Sequence, residues 1–303
     1  MNIQQLRVFV QAVRCSTLTE VAAQLQLKQP TVSFHLKKLE EELGVELFRK
    51  QLRYLQLTEA GKELLPYARR IYALMDEAER LMKEHREQGR GLLKIGASYT
   101  PATYFMPPYL SDFQVQFPLV TPTLTVKQAG SILTLLTEYE VDVAVVSLPD
   151  TVKDGLRLVP LVQDELKLLL PPGHPLSEKE SLTIADLSKE PFLVHEHGST
   201  SRELSEDWAR ENGLAWNIRM ELGAIETIKE SVKHGIGIGI LPLRSVMKEI
   251  ERGELIMRDL PGRVNRRYIC LAYRNEDVMP NQVQNFIRFM KSRCSGGIEA
   301  HPS

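Results

Sequence analysis

The sequence has 303 residues, 43% hydrophobic and 25% charged, with a net charge of −1; that is enough chain for two ordinary domains, each with its own core. No apolar run approaches the roughly 18–20 residues that cross a bilayer, and Met1-Asn2-Ile3-Gln4-Gln5 lacks the basic stretch and apolar core of a secretory signal, so no membrane partner is expected and the chain is placed in the cytoplasm. Cys15, Cys270 and Cys294 are too few and too scattered for a disulfide framework or a zinc site.

Residues 1–90 carry 15 Lys and Arg against 12 Asp and Glu, a net +3, which leaves −4 for residues 91–303. A basic excess that small is weak support for a nucleic-acid partner, so the motif must carry the case. Within residues 3–13, Leu6, Phe9, Val10 and Val13 share one helical face. After a polar break, Thr17 is placed to cap a second short helix, with Glu20 three residues on completing a capping box. Gln26-Leu27-Lys28 reads as a turn, and Pro30 suits the first turn of the next helix, where its missing N–H costs nothing. Val32, Leu36, Leu39 and Leu43 bury one side of that helix and leave Gln29, Thr31, Ser33, His35, Lys37 and Lys38 on the others. Two short helices joined tightly, the second polar and basic where exposed, describe a helix-turn-helix whose second helix fits the DNA major groove. Gly44 is the expected C-cap. Residues 45–58 read as two short strands around a basic tip, a wing that sets Arg49, Lys50 and Arg53 against phosphates or the minor groove.

The stretch Leu6 through Gly61 resembles the LysR-type transcriptional regulators. The resemblance is carried by Leu-Arg-x-Phe at 6–9, Thr-Leu-Thr-Glu-Val-Ala at 17–22 and Gln29-Pro30-Thr31-Val32-Ser33. It continues through Leu39-Glu40-Glu41-Glu42-Leu43-Gly44-Val45-x-Leu47-Phe48 and Leu57-Thr58-Glu59-Ala60-Gly61. It implies that residues 18–37 are the helix-turn-helix proper, and that Thr17, Gln29, Pro30, Thr31, Ser33, His35, Lys37 and Lys38 with Arg49, Lys50 and Arg53 form the DNA-binding set. The sequence departs from the family pattern at Lys28, where a Ser or Thr cap is usual, at Phe34, often polar, and at Leu52, usually the wing glycine.

From Thr58 to about Glu87, Leu64, Ala68, Ile71, Met75, Ala78 and Met82 follow a 4-3-4-3-4 spacing, flanked by Tyr67, Leu74 and Leu81 every seven residues. That pattern predicts a helix that pairs with another helix, kinked or loosened near Pro66. Two recognition helices held one turn of DNA apart read a palindrome, and the resemblance implies a dimer and a dimer of dimers. Gln88-Gly89-Arg90-Gly91 marks a boundary. The organisation expected is a DNA-binding domain at 1–58, a linker and dimerisation helix at 59–88, and an effector-binding domain at 89–303. In fold class this is an all-α winged helix-turn-helix with linker helix, followed by an α/β, two-lobed, periplasmic-binding-protein-like domain.

Beyond residue 91, strand-like runs alternate with helical segments, which predicts an α/β fold with mostly parallel sheets. The predicted strands are 92–96, 123–126, 141–146, 192–194, 216–222, 236–241 and 268–273, with helices near 106–117, 132–139, 201–212, 225–233 and 281–291. Gly235-Ile236-Gly237-Ile238-Gly239 lacks the spacing of a dinucleotide fingerprint and reads as close backbone packing. The resemblance implies two lobes, with the chain crossing between them near Gln163–Lys167 and Asn265–Tyr268, and a ligand held between them. Helix N-termini facing such a cleft favour an anionic or carboxylate effector. Candidate contacts are Ser98, Tyr99 and Thr100; Gly130 and Ser131; Ser147, at the end of its strand; His197, Ser199, Thr200 and Arg202; and Ile225 and Glu226. For each hydroxyl, ordinary helix capping is an equal explanation, and Arg202 has Glu206 one turn on as an alternative partner.

An enzyme is the first rival. The sequence has no G-x-S-x-G elbow and no P-loop, His195-Glu196-His197 lacks a partner cluster for a metal, and Glu40-Glu41-Glu42 reads as a solvated helix face. No catalytic residues, metal or cofactor are expected. A solute-binding module without DNA function fails on residues 1–60. The reading is a regulator of LysR type, with promoter DNA, a small-molecule effector, further copies of itself and RNA polymerase as partners.

Overall fold

The computed structural model describes residues 1–15, 17–51, 54–86, 91–149, 155–262, 267–275 and 279–294. The chain separates into two compact units, Met1–Gly89 and Arg90–Ser303.

In the first unit, Asn2 caps helix α1 (Ile3–Arg14) through a full capping box with Gln5. The Thr17 side chain accepts from the Glu20 N–H at the start of α2 (Leu18–Leu25). Gln26, at φ 54°, ends α2, and Pro30 lies in the first turn of α3 (Gln29–Leu43). Lys28, the N-cap of α3, makes no side-chain cap, as its departure from a Ser or Thr implies. Gly44, at φ 70°, closes α3 in the left-handed conformation that glycine adopts without strain. Leu6, Phe9, Val21, Val32, Leu36 and Leu39 meet in one core, where the Phe9 and Phe48 rings pack edge to face at 5.5 Å. Strands β1 (Phe48–Gln51) and β2 (Tyr54–Leu57) form an antiparallel hairpin in register Phe48 with Leu57. Its tip, with Leu52 and Arg53, lies outside the described residues.

Helix α4 (Glu59–Arg86) runs through Pro66 without interruption. Its seam divides. Ala68 is fully buried and Leu64 packs on the core of its own unit, so the upper part of the predicted pairing stripe is spent within the protomer. Tyr67, Ile71, Leu74 and Met82 are exposed.

The second unit has two sheets, each five-stranded. The first, in the order β4-β3-β5-β12-β6, comprises β3 (Gly91–Ala97), β4 (Val120–Val126), β5 (Val143–Pro149), β6 (Leu156–Asp164) and β12 (Arg267–Arg274). The second, in the order β11-β7-β10-β8-β9, comprises β7 (Leu166–Leu170), β8 (Pro191–His195), β9 (Asn217–Leu222), β10 (Ile238–Pro242) and β11 (Ile256–Arg258). Helices α5 (Met106–Gln116), α6 (Ala129–Thr137) and α11 (Asn281–Cys294) belong to the first lobe. Helices α7 (Ile184–Leu187), α8 (Thr200–Glu211), α9 (Ile225–Lys233) and α10 (Met247–Glu251) belong to the second. A π-helical turn, Pro101–Phe105, precedes α5. The chain passes between lobes twice, at Glu165 and between β11 and β12.

The sheets are mixed. Strand β3 is parallel to β4 and β5, and β8 is parallel to β9 and β10, whereas β12 and β7 are antiparallel to their neighbours. The expectation of mostly parallel sheets misses the strands flanking the two crossovers, which enter each sheet without a helical return. Strand β6 carries Pro160 and sits at a sheet edge, where proline is tolerated but masks the strand signal. The glycine run is close packing at two of its three positions: a Cβ added at Gly237 would overlap the Pro191 carbonyl oxygen and one at Gly239 would press on Ile228 and Val232, whereas Gly235, at φ 70° with open space around it, serves the turn. The three cysteines are buried and none is in a disulfide. Among the described residues no helix is long and apolar enough to cross a membrane.

Candidate functional site

The first candidate surface is the outer side of α3. Gln29, Pro30, Ser33, Lys37 and Lys38 are exposed, and Thr31 and His35 are half-buried. Phe34 is 59% exposed among them, with Lys38 Nζ 5.8 Å from its ring centroid. Arg49 is exposed on β1, and Lys50 follows it in the same strand. Thr17 stands apart in character, because its hydroxyl is engaged in capping α2.

The acidic run at the end of α3 is not the uniform solvated face expected. The Glu40 carboxylate accepts from the backbone N–H groups of Leu47 (2.8 Å) and Phe48 (3.2 Å), which ties α3 to β1. Glu42 accepts from Gln5 Nε2 (3.3 Å), and Glu41 alone pairs outward, with Lys37 at 3.6 Å. Thr58 fixes the other wing strand, its hydroxyl donating to the Glu46 carbonyl (2.7 Å) and accepting from Gly61 N–H (3.0 Å).

The second candidate is a cleft between the lobes of the C-terminal unit, about 360 Å³ including its open mouth. Ser98, Tyr99, Thr100, Ser147, Ser199, Thr200 and Ile225 of the predicted set line it, joined by Gln128, Ala129, His195, Ser201 and Arg267. The remaining candidates lie elsewhere. Gly130 and Ser131 sit inside the first turn of α6, which begins three residues before the predicted start and puts Gln128 and Ala129 at the cleft in their place. His197 is exposed, with Nε2 3.5 Å from Glu221. Glu226 is exposed at the rim, bound by the Tyr104 hydroxyl and by Lys229 Nζ (2.8 Å). Arg202 is buried but turned away, donating to Glu206 (2.6 Å) and the His195 carbonyl (3.2 Å). Its helical neighbour satisfies it. Ser147 lies within β5 and not at the strand's end, because the strand runs on to Pro149.

Arg267 is the residue that sequence reasoning missed with most consequence. It is 2% exposed and stands opposite Asp164 across the β12–β6 ladder. Its Nε donates to Asp164 Oδ2 (2.9 Å) and Nη1 donates to Ser201 Oγ on the other lobe (2.8 Å). Nη2 lies 2.7 Å from Asp164 Oδ2 without hydrogen-bond alignment, so that contact is Coulombic. Burial lowers the guanidinium pKa from its ordinary value, and the Asp164 carboxylate opposes that shift. The only signal in the sequence was position, since Arg267 falls in the predicted second crossing, of which Asn265 and Arg266 lie outside the described residues. His195, which the sequence offers only in a triplet without metal partners, ends β8 and lines the cleft; burial depresses its pKa and favours the neutral ring. Among the described residues no group of three or more His, Cys, Asp or Glu is placed to hold a metal ion.

Across the cleft, Gln128 Nε2 donates to Glu196 Oε1 (3.3 Å) and to the His197 carbonyl (3.4 Å). Together with Arg267–Ser201 and Tyr104–Glu226, these bonds join the lobes at floor and rim.

Comparison with known proteins places both parts of the chain in one family. Residues 3–62 match the family described as "Bacterial regulatory helix-turn-helix protein, lysR family", and residues 86–295 match "LysR substrate binding domain". The chain is 35% identical over 259 residues to the uncharacterized HTH-type transcriptional regulator YwqM of Bacillus subtilis (strain 168), covering 84% of this chain and 87% of that one. It is 29% identical over 294 residues to a RuBisCO operon transcriptional regulator of Allochromatium vinosum, covering 97% of each. A solved structure of full-length OxyR from Pseudomonas aeruginosa shares the fold with a TM-score of 0.74 at 22% identity, covering 100% of this chain and 99% of that one. The chain belongs to the LysR family of bacterial transcriptional regulators, with the family's helix-turn-helix at its start and the family's effector-binding domain after it.

Proposed function

We propose that this regulator, working in the cytoplasm, binds double-stranded promoter DNA through the outer face of α3 and the wing, and that a small anionic or carboxylate effector in the C-terminal cleft sets its influence on RNA polymerase. The observation that carries the reading is the composition of the uncovered side of α3. Gln29, Thr31, Ser33 and His35 supply base-edge donors and acceptors, and Lys37 and Lys38 supply charge for phosphates. The exposed apolar stripe of α4, from Tyr67 through Ile71 and Leu74 to Met82, supports pairing of two protomers and, by the family's habit, a homotetramer. The linker role of residues 59–88 and the domain limits 1–58 and 89–303 belong to the same proposal.

The test is binding to the promoter fragment of the protein's own gene across a salt series. Lys50→Ala and Arg53→Ala are expected to weaken binding to every sequence and to reduce the slope of log K against log salt by about 0.9 per lost phosphate contact. Ser33→Ala is expected to blur sequence preference at unchanged slope. Binding that is independent of salt and of these residues would remove α3 and the wing from the interface. For the switch, effector shifts the balance between lobe arrangements and thereby the bend or spacing between half-sites. Identical footprints and bend angles with and without effector would overturn it.

A further inference from the structure

Resting on the reading of the cleft as an anion site, we infer that its occupant carries a tetrahedral oxyanion, a phosphate or sulfate group, held by the N-termini of helices from both lobes and by the Ser147 hydroxyl.

Three helices of nine residues or more begin at the cleft: α6 from the first lobe, and α8 and α9 from the second. Their opening residues Ala129, Thr200, Ser201 and Ile225 line the cavity. Helix α8 is capped by its own Ser199, which accepts from Arg202 N–H at 3.1 Å. Helices α6 and α9 start at Gln128 and Ala224, and neither residue provides a side-chain cap. Their first-turn N–H groups are therefore left for whatever enters the cleft, with the positive ends of both helices behind them.

A second observation points to the same occupant. Ser147 is 3% exposed and lines the cavity, yet its Oγ has no hydrogen-bond partner among the described residues. Its own backbone N–H already donates to Ser98 Oγ (3.0 Å), which leaves the Ser98 proton free to donate as well. Among the described residues, none lining the cavity is acidic. The carboxylates around it are engaged, Asp164 by Arg267, Glu196 by Gln128, and Glu226 by Tyr104 and Lys229.

The geometry of supply separates the oxyanion classes. A carboxylate accepts from donors gathered near one plane. Here the donors come from two facing walls and from the floor, which suits three or four oxygens arranged in space. Arg267 donates through Nε to Asp164 and through Nη1 to Ser201, with Nη2 held 2.7 Å from the same carboxylate, so its charge is balanced within the wall and the fork is not laid open to a planar anion; helix dipoles and neutral donors are what the site adds.

The experiment is calorimetric titration of the full-length protein with inorganic phosphate, methyl phosphate, sulfate and acetate at matched ionic strength. At least one tetrahedral ion is expected to bind ten times more tightly than acetate. Preference for methyl phosphate identifies a phosphate ester, and preference for sulfate identifies the free ion. Ser147→Ala should weaken the preferred ion about tenfold. A second variant, Ala129→Pro, removes one N–H at a helix position where proline is tolerated, keeps the fold, and should weaken it similarly. Acetate binding as tightly as the other ions overturns the tetrahedral assignment and leaves an anion cleft standing. No response to any of the four ions overturns the anion reading with it. Tight binding unmoved by both variants shows that the ion sits elsewhere and overturns the placement.

Discussion

Removing the charge of Arg267 tests whether the cleft is built around a buried ion pair. Arg267 and Asp164 are both within 2% of full burial, and their carboxylate–guanidinium contacts of 2.7 and 2.9 Å are the main compensation for taking two charges out of water. Arg267→Met keeps most of the side-chain volume and strands the carboxylate, a loss of about 3–5 kcal/mol for a pair broken on one side. For a unit of this size each kcal/mol moves the midpoint by about 2–4 °C, so the expected fall is roughly 6–20 °C. The assay is selective, because Trp208 and Trp216 are the two tryptophans of the chain and both lie in the C-terminal unit. Their fluorescence during thermal unfolding of the full protein reports on that unit alone. Asp164→Leu added to Arg267→Met removes the stranded charge and is expected to recover the stability to within about 1–2 kcal/mol of the original. A single variant that loses less than about 1 kcal/mol, or a double variant no better than the single, refutes the argument that this pair is dry and mutually dependent.

Four further outcomes follow from local geometry. Gly61→Ala puts a Cβ into the Leu47 carbonyl oxygen, a backbone atom with nowhere to go; the strain of about 1–3 kcal/mol exceeds the helix-propensity gain of about 1 kcal/mol, and faster amide exchange across β1 and β2 than in the unaltered protein is the check. Phe34→Ser removes an exposed apolar group from the reading face and should cost about 1 kcal/mol of discrimination at a thymine; replacing that thymine by uracil in a bound fragment should weaken the original protein and leave the variant unmoved. Burial depresses the His195 pKa below its ordinary 6.5, so its contribution to stability is complete above that value and declines as pH falls below it, where the unfolded chain takes up the proton first; His195→Gln should flatten the unfolding midpoint between pH 7.5 and 5.5, and parallel curves would deny the histidine this role. Ser199→Ala removes the cap of α8 and should lower stability by about 1 kcal/mol with little change in anion affinity; a large loss of affinity at unchanged stability would reverse the roles given to Ser199 and Ser147.

The DNA-reading unit was legible because its signals are local. Pro30, Gly44 and the spacing of Val32, Leu36 and Leu39 fix where α3 starts, stops and faces, whatever the rest of the chain does. The cleft was legible only where a hydroxyl stood between a strand and a helix, as at Ser98, Thr100, Ser199 and Thr200. It failed at α6, since Gln128 and Ala129 carry no start signal and the apolar periodicity begins only at Ile132. It failed again at Arg267, whose partners Asp164 and Ser201 are 103 and 66 residues away. Pairing across a crossover has no local period to betray it. Glu40 was misread for a related reason: its role is set by the Leu47 and Phe48 amides beyond the helix end.

The weak start signal of α6 has a physical sense of its own. Replacing a Ser, Thr, Asp or Asn cap by a residue such as alanine costs about 1 kcal/mol per helix, and the cleft contains two helices without a side-chain cap, α6 in the first lobe and α9 in the second. Departures from local preference gather at functional sites, and here both open onto the same cleft, one from each lobe. An anion that caps both helices recovers both costs only while the lobes hold this separation; with the lobes apart it can cap one. The difference, about 1 kcal/mol for each helix left uncapped, is a coupling between ligand and lobe arrangement that needs no movement within either lobe. Arg267–Ser201 and Gln128–Glu196 also span the gap, so the ligand adds to contacts that the two lobes make with each other. A bias of 1–2 kcal/mol changes a population ratio by roughly 5- to 30-fold, a range that suffices for a graded switch and stops short of an absolute one.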